Sequence, residues 1–329
     1  MNLRRRCSEA VRSWQPATDP RATAGVIGRI FTTAGCQRLL TLKADIYRSI
    51  LAWPMVYAHI QPSEYLRAFV REYTVLHLRF GPTDSAPVKP FPAPPTQGLT
   101  FYPRGFLTAR CLAVGTATLR PRTVVYGQQL TRLDLVLCQG EYLMVDVQFQ
   151  PGVLAKFLRQ PLLEFVDRNV DAEAVLGPGV RRLNDQLANA TDYAQLVPLL
   201  EAYLWPRLQA GGVALRPIDH VSRLMRQAPR PASLAAWAGH ACLSLSQFER
   251  LFRQQMGVSP KLYARIVRFD QAFRLKETAP SLDWLSVALH AGYHDYQHLV
   301  KDFQQFAGAT PPRLLAANAQ APEKRLGLV

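Results

Sequence analysis

The sequence lacks the features of a membrane-spanning, secreted or metal-stabilised protein. No stretch holds the roughly 18 consecutive apolar residues that a transmembrane helix needs, and the basic residues Arg4, Arg5 and Arg6 are not followed by the apolar core of a signal peptide. The five cysteines form no CxxC pair and lie scattered along the chain, as is typical of a reducing compartment. We therefore expect a cytoplasmic protein without a zinc or disulfide framework.

The motifs of common enzyme classes are missing as well. The chain has no GxSxG elbow, no P-loop and no GxGxxG motif at the start of a helix. Residues 51–216 contain His59 and His77 but no HxH pair, whereas a metal-dependent dioxygenase requires clustered histidines and a carboxylate. We expect no enzyme activity, no cofactor and no metal site. An enzyme in the N-terminal domain is the weakest of the alternatives.

Positive charge is abundant, with 39 Lys and Arg against 24 Asp and Glu. The excess lies in residues 1–50 and 217–315, while residues 51–216 are nearly balanced, which favours a polyanionic partner for the ends of the chain. Residues 1–54 show weak periodicity. Either they form a basic, disordered extension, or Met55 is the true start; we favour the second hypothesis.

Residues 56–149 carry short alternating runs, punctuated by Gly and Pro, that are typical of strands in a small barrel or sandwich. The aromatic and basic run at 69–80 also fits single-strand nucleic-acid binding by stacking, but its alternation favours a half-buried strand. Strands are predicted at 74–80, 99–103, 123–127, 133–139 and 142–149, with a proline-rich loop at 87–98. Helices are predicted at 153–166, 180–190 and 193–208, and a domain boundary at 210–218.

Two segments beginning at Leu234 and Leu285 repeat each other at an offset of 51 residues without a gap. The apolar residues and the glycine and proline residues of the two segments occupy matching positions, which indicates an internal duplication. Each copy reads as a helix, a tight turn and a second helix. Ser244 caps the second helix of the first copy, while in the second copy Gly292 supplies the turn and Asp295 the cap. Both second helices stop at a glycine that is followed by proline.

The second helix of each copy has one apolar stripe and one polar face. The polar faces are rich in Arg, Lys, Gln, Ser and His, which can reach base edges and phosphates in a major groove. A predicted helix at 261–276, about 24 Å long, joins the copies and could hold two recognition helices about 34 Å apart, one turn of DNA. The alternative is a protein-interaction module that uses the same helices as a docking surface.

His290, His294 and His298 would form a zinc-binding stripe on an uninterrupted helix. Gly292 and Asp295 break the helix between them, so a metal site is not expected there. His298 instead orders the start of the second recognition helix or contacts a phosphate.

Residues 218–316 resemble the AraC/XylS transcription regulators. The segment SLAAWAGHACLSLSQFERLFRQQMGVSP is similar to the family's first helix-turn-helix, and ALHAGYHDYQHLVKDFQQFAGATPPRLL to its second. Residues 56–210 more faintly resemble the cupin-like sensor domain of one branch of the family, in PSEYLRAFVREYTVL and FQPGVLAKFL. The resemblance implies control of transcription by binding double-stranded DNA, a small-molecule effector, contact with RNA polymerase and a homodimer.

Carried over by position, the family's base-reading places fall on Ser246, Glu249 and Arg250 in the first copy and on Tyr296, Gln297 and Lys301 in the second. Together with the caps and phosphate-contacting candidates, the predicted DNA-binding residues are Ser244, Ser246, Gln247, Glu249, Arg250, Arg253, Tyr296, Gln297, His298 and Lys301.

The sequence thus predicts an α+β chain that has a β-barrel-like, cupin-like N-terminal domain with helices and an all-α C-terminal domain. The predicted C-terminal domain consists of two helix-turn-helix units joined by a long helix. The predicted divisions are an extension or mis-assigned start at 1–54, a sensor and dimerisation domain at 55–212, a DNA-binding domain at 213–316 and a tail at 317–329.

Overall fold

The structure is a computed structural model that describes residues 55–328, apart from 82–83, 85, 113–114, 211–214 and 229–231. The extension predicted at 1–54 lies outside the described residues, and so does much of the predicted domain boundary at 210–218. We call residues 55–210 the sensor domain, after the role that the resemblance implies, and residues 215–328 the helical domain.

In the described residues, ten strands form two antiparallel sheets. The strands are β1 (Val56–Ile60), β2 (Val70–Phe80), β3 (Val88–Phe91), β4 (Gly98–Arg104), β5 (Leu107–Cys111), β6 (Ala117–Leu119), β7 (Thr123–Tyr126), β8 (Leu133–Leu137), β9 (Gly140–Phe149) and β10 (Asn169–Asp171). One sheet has the order β1-β2-β9-β4-β7-β10 and the other β3-β8-β5-β6.

The core of the sensor domain lies between the two sheets. Leu76 and Tyr142 from the six-stranded sheet and Leu107 and Leu137 from the four-stranded sheet are buried in one cluster. Alternation along each strand sends these side chains inward, as the sequence pattern predicts. Of the two arrangements that the sequence left open, the structure has the sandwich.

One strand falls in a segment that we predicted to be a loop. Residues 87–98 contain β3, which pairs with β8 so that Pro90 lies opposite Asp134. Proline has no N–H to donate, so it is tolerated in a strand mainly at a sheet edge. β3 is the edge strand of its sheet, which explains how a proline-rich segment can pair there.

The sensor domain also contains four α-helices, which are α1 (Val153–Leu158), α2 (Ala172–Leu176), α3 (Gly179–Asn189) and α4 (Leu196–Ala210). The prediction of one helix over 153–166 is wrong. Arg159 adopts a left-handed conformation with φ 56° and ends α1, and Pro161 follows, which cannot continue a helix. The rest of that segment contains only a short 3-10 turn at Leu163–Phe165.

The helical domain contains α5 (Pro217–Gln227), α6 (Leu234–His240), α7 (Leu245–Met256), α8 (Pro260–Thr278), α9 (Trp284–His290), α10 (Tyr296–Ala307), α11 (Pro311–Ala319) and α12 (Pro322–Arg325). We call α6–α7 unit 1 and α9–α10 unit 2. Phe248 and Phe252 belong to one buried cluster, and Phe303 and Phe306 belong to another. The 19-residue helix α8 contributes to both clusters, as expected for a connecting helix.

The repeat contains a one-residue insertion, so the prediction of an ungapped repeat is wrong. The first helices begin at Leu234 and Trp284, which are 50 positions apart, whereas the second helices begin at Leu245 and Tyr296, which are 51 apart. Leu285 is 52% exposed, while Trp284 packs against the unit 2 core. Burial of the Trp284 ring in the core of unit 2 therefore sets how the first helices of the two units align.

The turns account for the extra residue. Cys242 and Gly292 occupy matching left-handed positions, with φ 54° and 79°. One residue, Leu243, then separates Cys242 from the Ser244 cap, but two separate Gly292 from Asp295. The predicted glycine ends are confirmed, because Gly257 and Gly308 are left-handed C-caps.

The α+β class predicted from the sequence is confirmed. No helix among the described residues is long and apolar enough to cross a membrane.

Candidate nucleic-acid interface and interdomain cavity

The second helix of unit 1 begins with the predicted capping box. The Ser244 hydroxyl accepts a hydrogen bond from the Gln247 N–H at 3.3 Å, and the Gln247 side chain accepts one from the Ser244 N–H at 3.3 Å. Two amide groups at the helix start are thereby satisfied. The Ser244 and Gln247 side chains therefore fix the start of the helix, whatever else they contact.

The second helix of unit 2 is capped by a carboxylate. Asp295 accepts hydrogen bonds from the His298 N–H at 2.8 Å and pairs with His298 Nδ1 at 2.9 Å. The first of these bonds is the main reason that the pKa of Asp295 is lowered. This geometry gives His298 the ordering role expected for it.

The predicted DNA-binding residues lie at the solvent-facing sides of α7 and α10. Nine of the ten are exposed, and Tyr296 is half-buried because its ring packs against the unit 2 core. Among the described residues, Arg250, Arg253 and Lys301 form no ion pair. Their positive charges are therefore available to an outside anion.

Unit 2 contains a buried charge that our sequence analysis missed. Asp302 is 3% exposed and binds Arg265 Nη2 at 2.6 Å, Arg268 Nη2 at 3.2 Å and the Tyr293 hydroxyl at 3.0 Å. The signal was present in the sequence, because Asp302 falls in the apolar stripe with Leu299, three residues after it. The network ties α10 to α8.

A second buried charge ties unit 1 to the sensor domain. Asp219 on α5 is fully buried and forms an ion pair with Lys156 on α1. Asp219 also accepts hydrogen bonds from Gln255 Nε2 at 2.9 Å and from the Arg216 N–H at 2.6 Å. Because Gln255 belongs to α7, this carboxylate links the sensor domain to the recognition helix of unit 1.

Main-chain hydrogen bonds join the sensor domain to the ends of both recognition helices. The Leu162 N–H donates to the Gln254 carbonyl at 2.9 Å, and the Ala93 N–H donates to the Phe306 carbonyl at 3.0 Å. Carbonyls in the last turn of a helix have no partner within the helix. The sensor domain therefore completes the C-terminal ends of α7 and α10.

A cavity of about 730 Å³ lies between the sandwich and the helical domain. This volume falls in the range of small-molecule sites, about 300 to 1,000 Å³. The sandwich contributes apolar and aromatic side chains such as Leu76, Tyr102 and Tyr142, and α8 contributes Phe273 and Arg274. Neither domain encloses the cavity alone.

Asp146 lies in the sandwich wall of this cavity. It is 8% exposed and accepts hydrogen bonds from the Thr100 hydroxyl at 2.7 Å and the Tyr126 hydroxyl at 3.1 Å. Burial raises the pKa of Asp146 to about 6, against the opposing effect of these hydrogen bonds. The carboxyl group can therefore be neutral in mildly acidic solution.

The structure also places the three histidines that we weighed as a zinc stripe. His290 ends α9, His294 lies in the turn and His298 lies in α10. They therefore do not share one continuous helix. The described residues contain no group of three or more His, Cys, Asp or Glu side chains arranged to hold a metal ion.

Two family models match the chain. A helix-turn-helix domain model matches residues 237–317, which include all of unit 2 and all but the first three residues of unit 1. A model for a domain of unknown function, DUF6597, matches residues 58–171, which include the β-sandwich except for the first two residues of β1.

The chain is also similar to a curated regulator. The arabinose operon regulatory protein of Escherichia coli (strain K12) is 30% identical over 147 residues, which are 43% of this chain and 47% of that protein. The match therefore spans about half the length of that relative.

Solved structures also resemble the chain. A crystal structure of unsaturated fatty acid bound wild-type ToxT from Vibrio cholerae has 10% identity and a TM-score of 0.42, and the match covers 76% of this chain and 95% of that one. A transcriptional regulator from Chromobacterium violaceum, described as having an AraC-type DNA-binding domain, has 26% identity and a TM-score of 0.30, with 32% and 93% covered. The helix-turn-helix match and the arabinose-regulator relative both support the resemblance of the chain to the AraC/XylS transcription regulators.

Proposed function

We propose that this protein is a sequence-specific DNA-binding transcription regulator whose two recognition helices, α7 and α10, enter successive major grooves. The observation that carries the proposal is the pairing of two capped helices on one connecting helix, each with unpaired cationic and amide side chains in solvent. Such side chains recognise base edges and phosphates. At 19 residues, α8 is about 28 Å long, which is compatible with a spacing of one DNA turn.

Each predicted residue has a proposed role. Arg250 and Lys301 lie in the middle of their exposed faces and would read bases, with Ser246, Glu249, Tyr296 and Gln297 as neighbours. Glu249 could accept a hydrogen bond from a cytosine amine. Arg253 and the N-terminal ends of the recognition helices would hold phosphates. These assignments divide the interface into reading and positioning contacts.

The finer parts of the function also belong to this proposal. The interdomain cavity supports an effector whose binding biases the DNA-competent arrangement, since residues of both domains line it. A homodimer and contact with RNA polymerase follow from the family resemblance alone. A protein-interaction module remains the alternative, because an amphipathic helix pair also docks on proteins.

The test is to select bound fragments from a genomic library with the full chain, and then to compare variants on the recovered site. If Arg250 reads a base, Arg250→Ala weakens binding by about 1 to 3 kcal/mol and relaxes the preference at one position. Lys301→Ala should do the same at a position about one turn away. Affinity should also fall with increasing salt.

The matched control is Arg181→Ala, which removes the same charge from an exposed site in α3 of the sensor domain. It should leave affinity unchanged. Uniform weakening across sequences would assign Arg250 to phosphate. Recovery of no preferred fragment, or affinity that ignores salt, would overturn the DNA-binding proposal and favour the protein-interaction alternative.

A further inference from the structure

The interdomain cavity contains a cation without a partner. Tyr102 and Tyr142 lie close enough to influence the Arg120 guanidinium electrostatically, and all three residues line the cavity. Arg120 Nε is buried without a hydrogen-bond partner. Burial lowers the pKa of Arg120, and the two tyrosines oppose the shift. The Nε–H group has therefore lost hydration that no atom of the described protein replaces.

The other cations of the cavity wall are paired with carboxylates. At the rim, Lys89 pairs with Glu323 and Lys324 with Glu277. The remaining pair on α8 joins Arg274 Nε to Asp270 at 2.8 Å.

Two carboxylates remain in the sandwich wall, and both have partners as well. Glu72 pairs with Arg71, and Asp146 accepts hydrogen bonds from hydroxyl groups. Among the described cations that line the cavity, Arg120 is therefore the one that forms no ion pair with a carboxylate.

We propose that the cavity binds a small organic anion, a carboxylate on an apolar body, and that Arg120 holds the carboxylate. A carboxylate can accept two parallel N–H bonds from a guanidinium, and such charge-assisted bonds strengthen in a wall of low polarity. The apolar body contacts Leu76, Leu137 and Met144, which line the same cavity. That this ligand is the effector rests on the proposed regulatory function, but its binding does not.

The position of the cavity gives this ligand a direct route to the helical domain. Phe273 on α8 lines the cavity with the sandwich residues, and α8 packs in the cores of both units. A ligand held by Arg120 that also touches Phe273 binds the docked arrangement of the domains better than a separated one. Ligand binding would then shift the equilibrium from the separated to the docked arrangement of the domains.

The test uses two dyes that differ by one charged group. 8-Anilinonaphthalene-1-sulfonate is anionic, and N-phenyl-1-naphthylamine has the same rings without the sulfonate; both brighten in apolar sites. In the full chain, Arg120→Gln should weaken binding of the anionic dye about tenfold or more and leave the neutral dye within about twofold. Retained binding of the neutral dye also shows that the variant folds.

The matched control is Arg122→Gln, two residues away, where the side chain is 55% exposed and pairs with Asp185. It should change neither dye. If Arg120→Gln does not fold, Arg120→Lys keeps the charge but not the two parallel N–H donors, and should bind the anionic dye more weakly than wild type while binding the neutral dye equally well. In wild type, 4-phenylbutyrate should displace that dye at concentrations about tenfold lower than its neutral amide does.

The proposal is overturned if neither dye binds wild type, or if Arg120→Gln or Arg120→Lys weakens binding of both dyes equally or of neither. It is also overturned if the acid and the amide compete equally. Fragment selection without added ligand tests the DNA-binding function separately. If the protein selects DNA fragments but does not bind the carboxylate, this inference alone fails. If the protein binds the carboxylate but selects no DNA fragments, the proposed function alone fails.

Discussion

The two helix-turn-helix units have nearly the same local design but are held in place differently. Both have a capped recognition helix that ends at a left-handed glycine, and both pack on α8. Unit 1 is held by a buried charge on α5, Asp219, which bonds Gln255 of α7 and pairs with Lys156 of the sensor domain. In unit 2 the buried charge is Asp302, and its partners Arg265 and Arg268 lie within the helical domain.

This difference suggests a division of labour. The position of unit 1 depends on a side-chain ion pair with the sensor domain, so a change there reaches α7 directly. Unit 2 is fixed to α8 by its own network and contacts the sensor domain at the end of α10. We therefore expect unit 1 to respond more strongly when the interface between the domains is altered.

The largest expected effect comes from Lys156→Met, which leaves the fully buried Asp219 without its cation. Breaking a buried pair in this way should lower the free energy of unfolding by about 3 kcal/mol, as measured by urea denaturation. Hydrogen exchange should accelerate in α7 and remain near wild type in α10. Lys261→Met, at an exposed position on α8, is the control and should change little; equal acceleration in α7 and α10 would remove the distinction between the units.

A smaller effect is expected from Asp302→Ala, which leaves two guanidinium groups without a carboxylate. The Arg265 and Arg268 side chains are 34% and 23% exposed, so water partly compensates, and the loss should be about 2 kcal/mol. Exchange should now accelerate in α10 and not in α7. The control is Asp185→Ala, which removes the exposed carboxylate that pairs with Arg122. Equal free energies of unfolding in the two variants would mean that Asp302 contributes no more than a surface ion pair.

The smallest effects test the two turns. Gly292→Ala places a side chain at φ 79° and should cost about 1 kcal/mol. Cys242→Gly relieves the same conformation at φ 54° but adds backbone entropy to the unfolded chain, so we expect a gain of at most about 0.5 kcal/mol. Thermal or urea unfolding measures both. A loss of stability in Cys242→Gly would mean that the thiol has a packing role that outweighs the strain.

The sequence predicted the parts of the interface that depend on local chemistry. Ser244 and Asp295 were identified as caps because their side chains bond amides three residues away, and the apolar stripe separated Phe252 from Arg250 by helical spacing alone. The register of the first helices was wrong by one residue, because it depends on whether Trp284 or Leu285 is buried. That choice is made by the core and not by the local pattern.

By itself, the sequence determined the order of the elements, the two recognition helices and the exposed faces that they present, since caps, turns and amphipathic spacing act over a few residues. Only the tertiary structure decided the contacts between distant segments. Lys156 meets Asp219, Arg265 meets Asp302, and Arg120 faces a cavity that is closed by α8. Burial and ion pairing depend on which surfaces meet in the folded chain, and a local sequence pattern does not specify those surfaces.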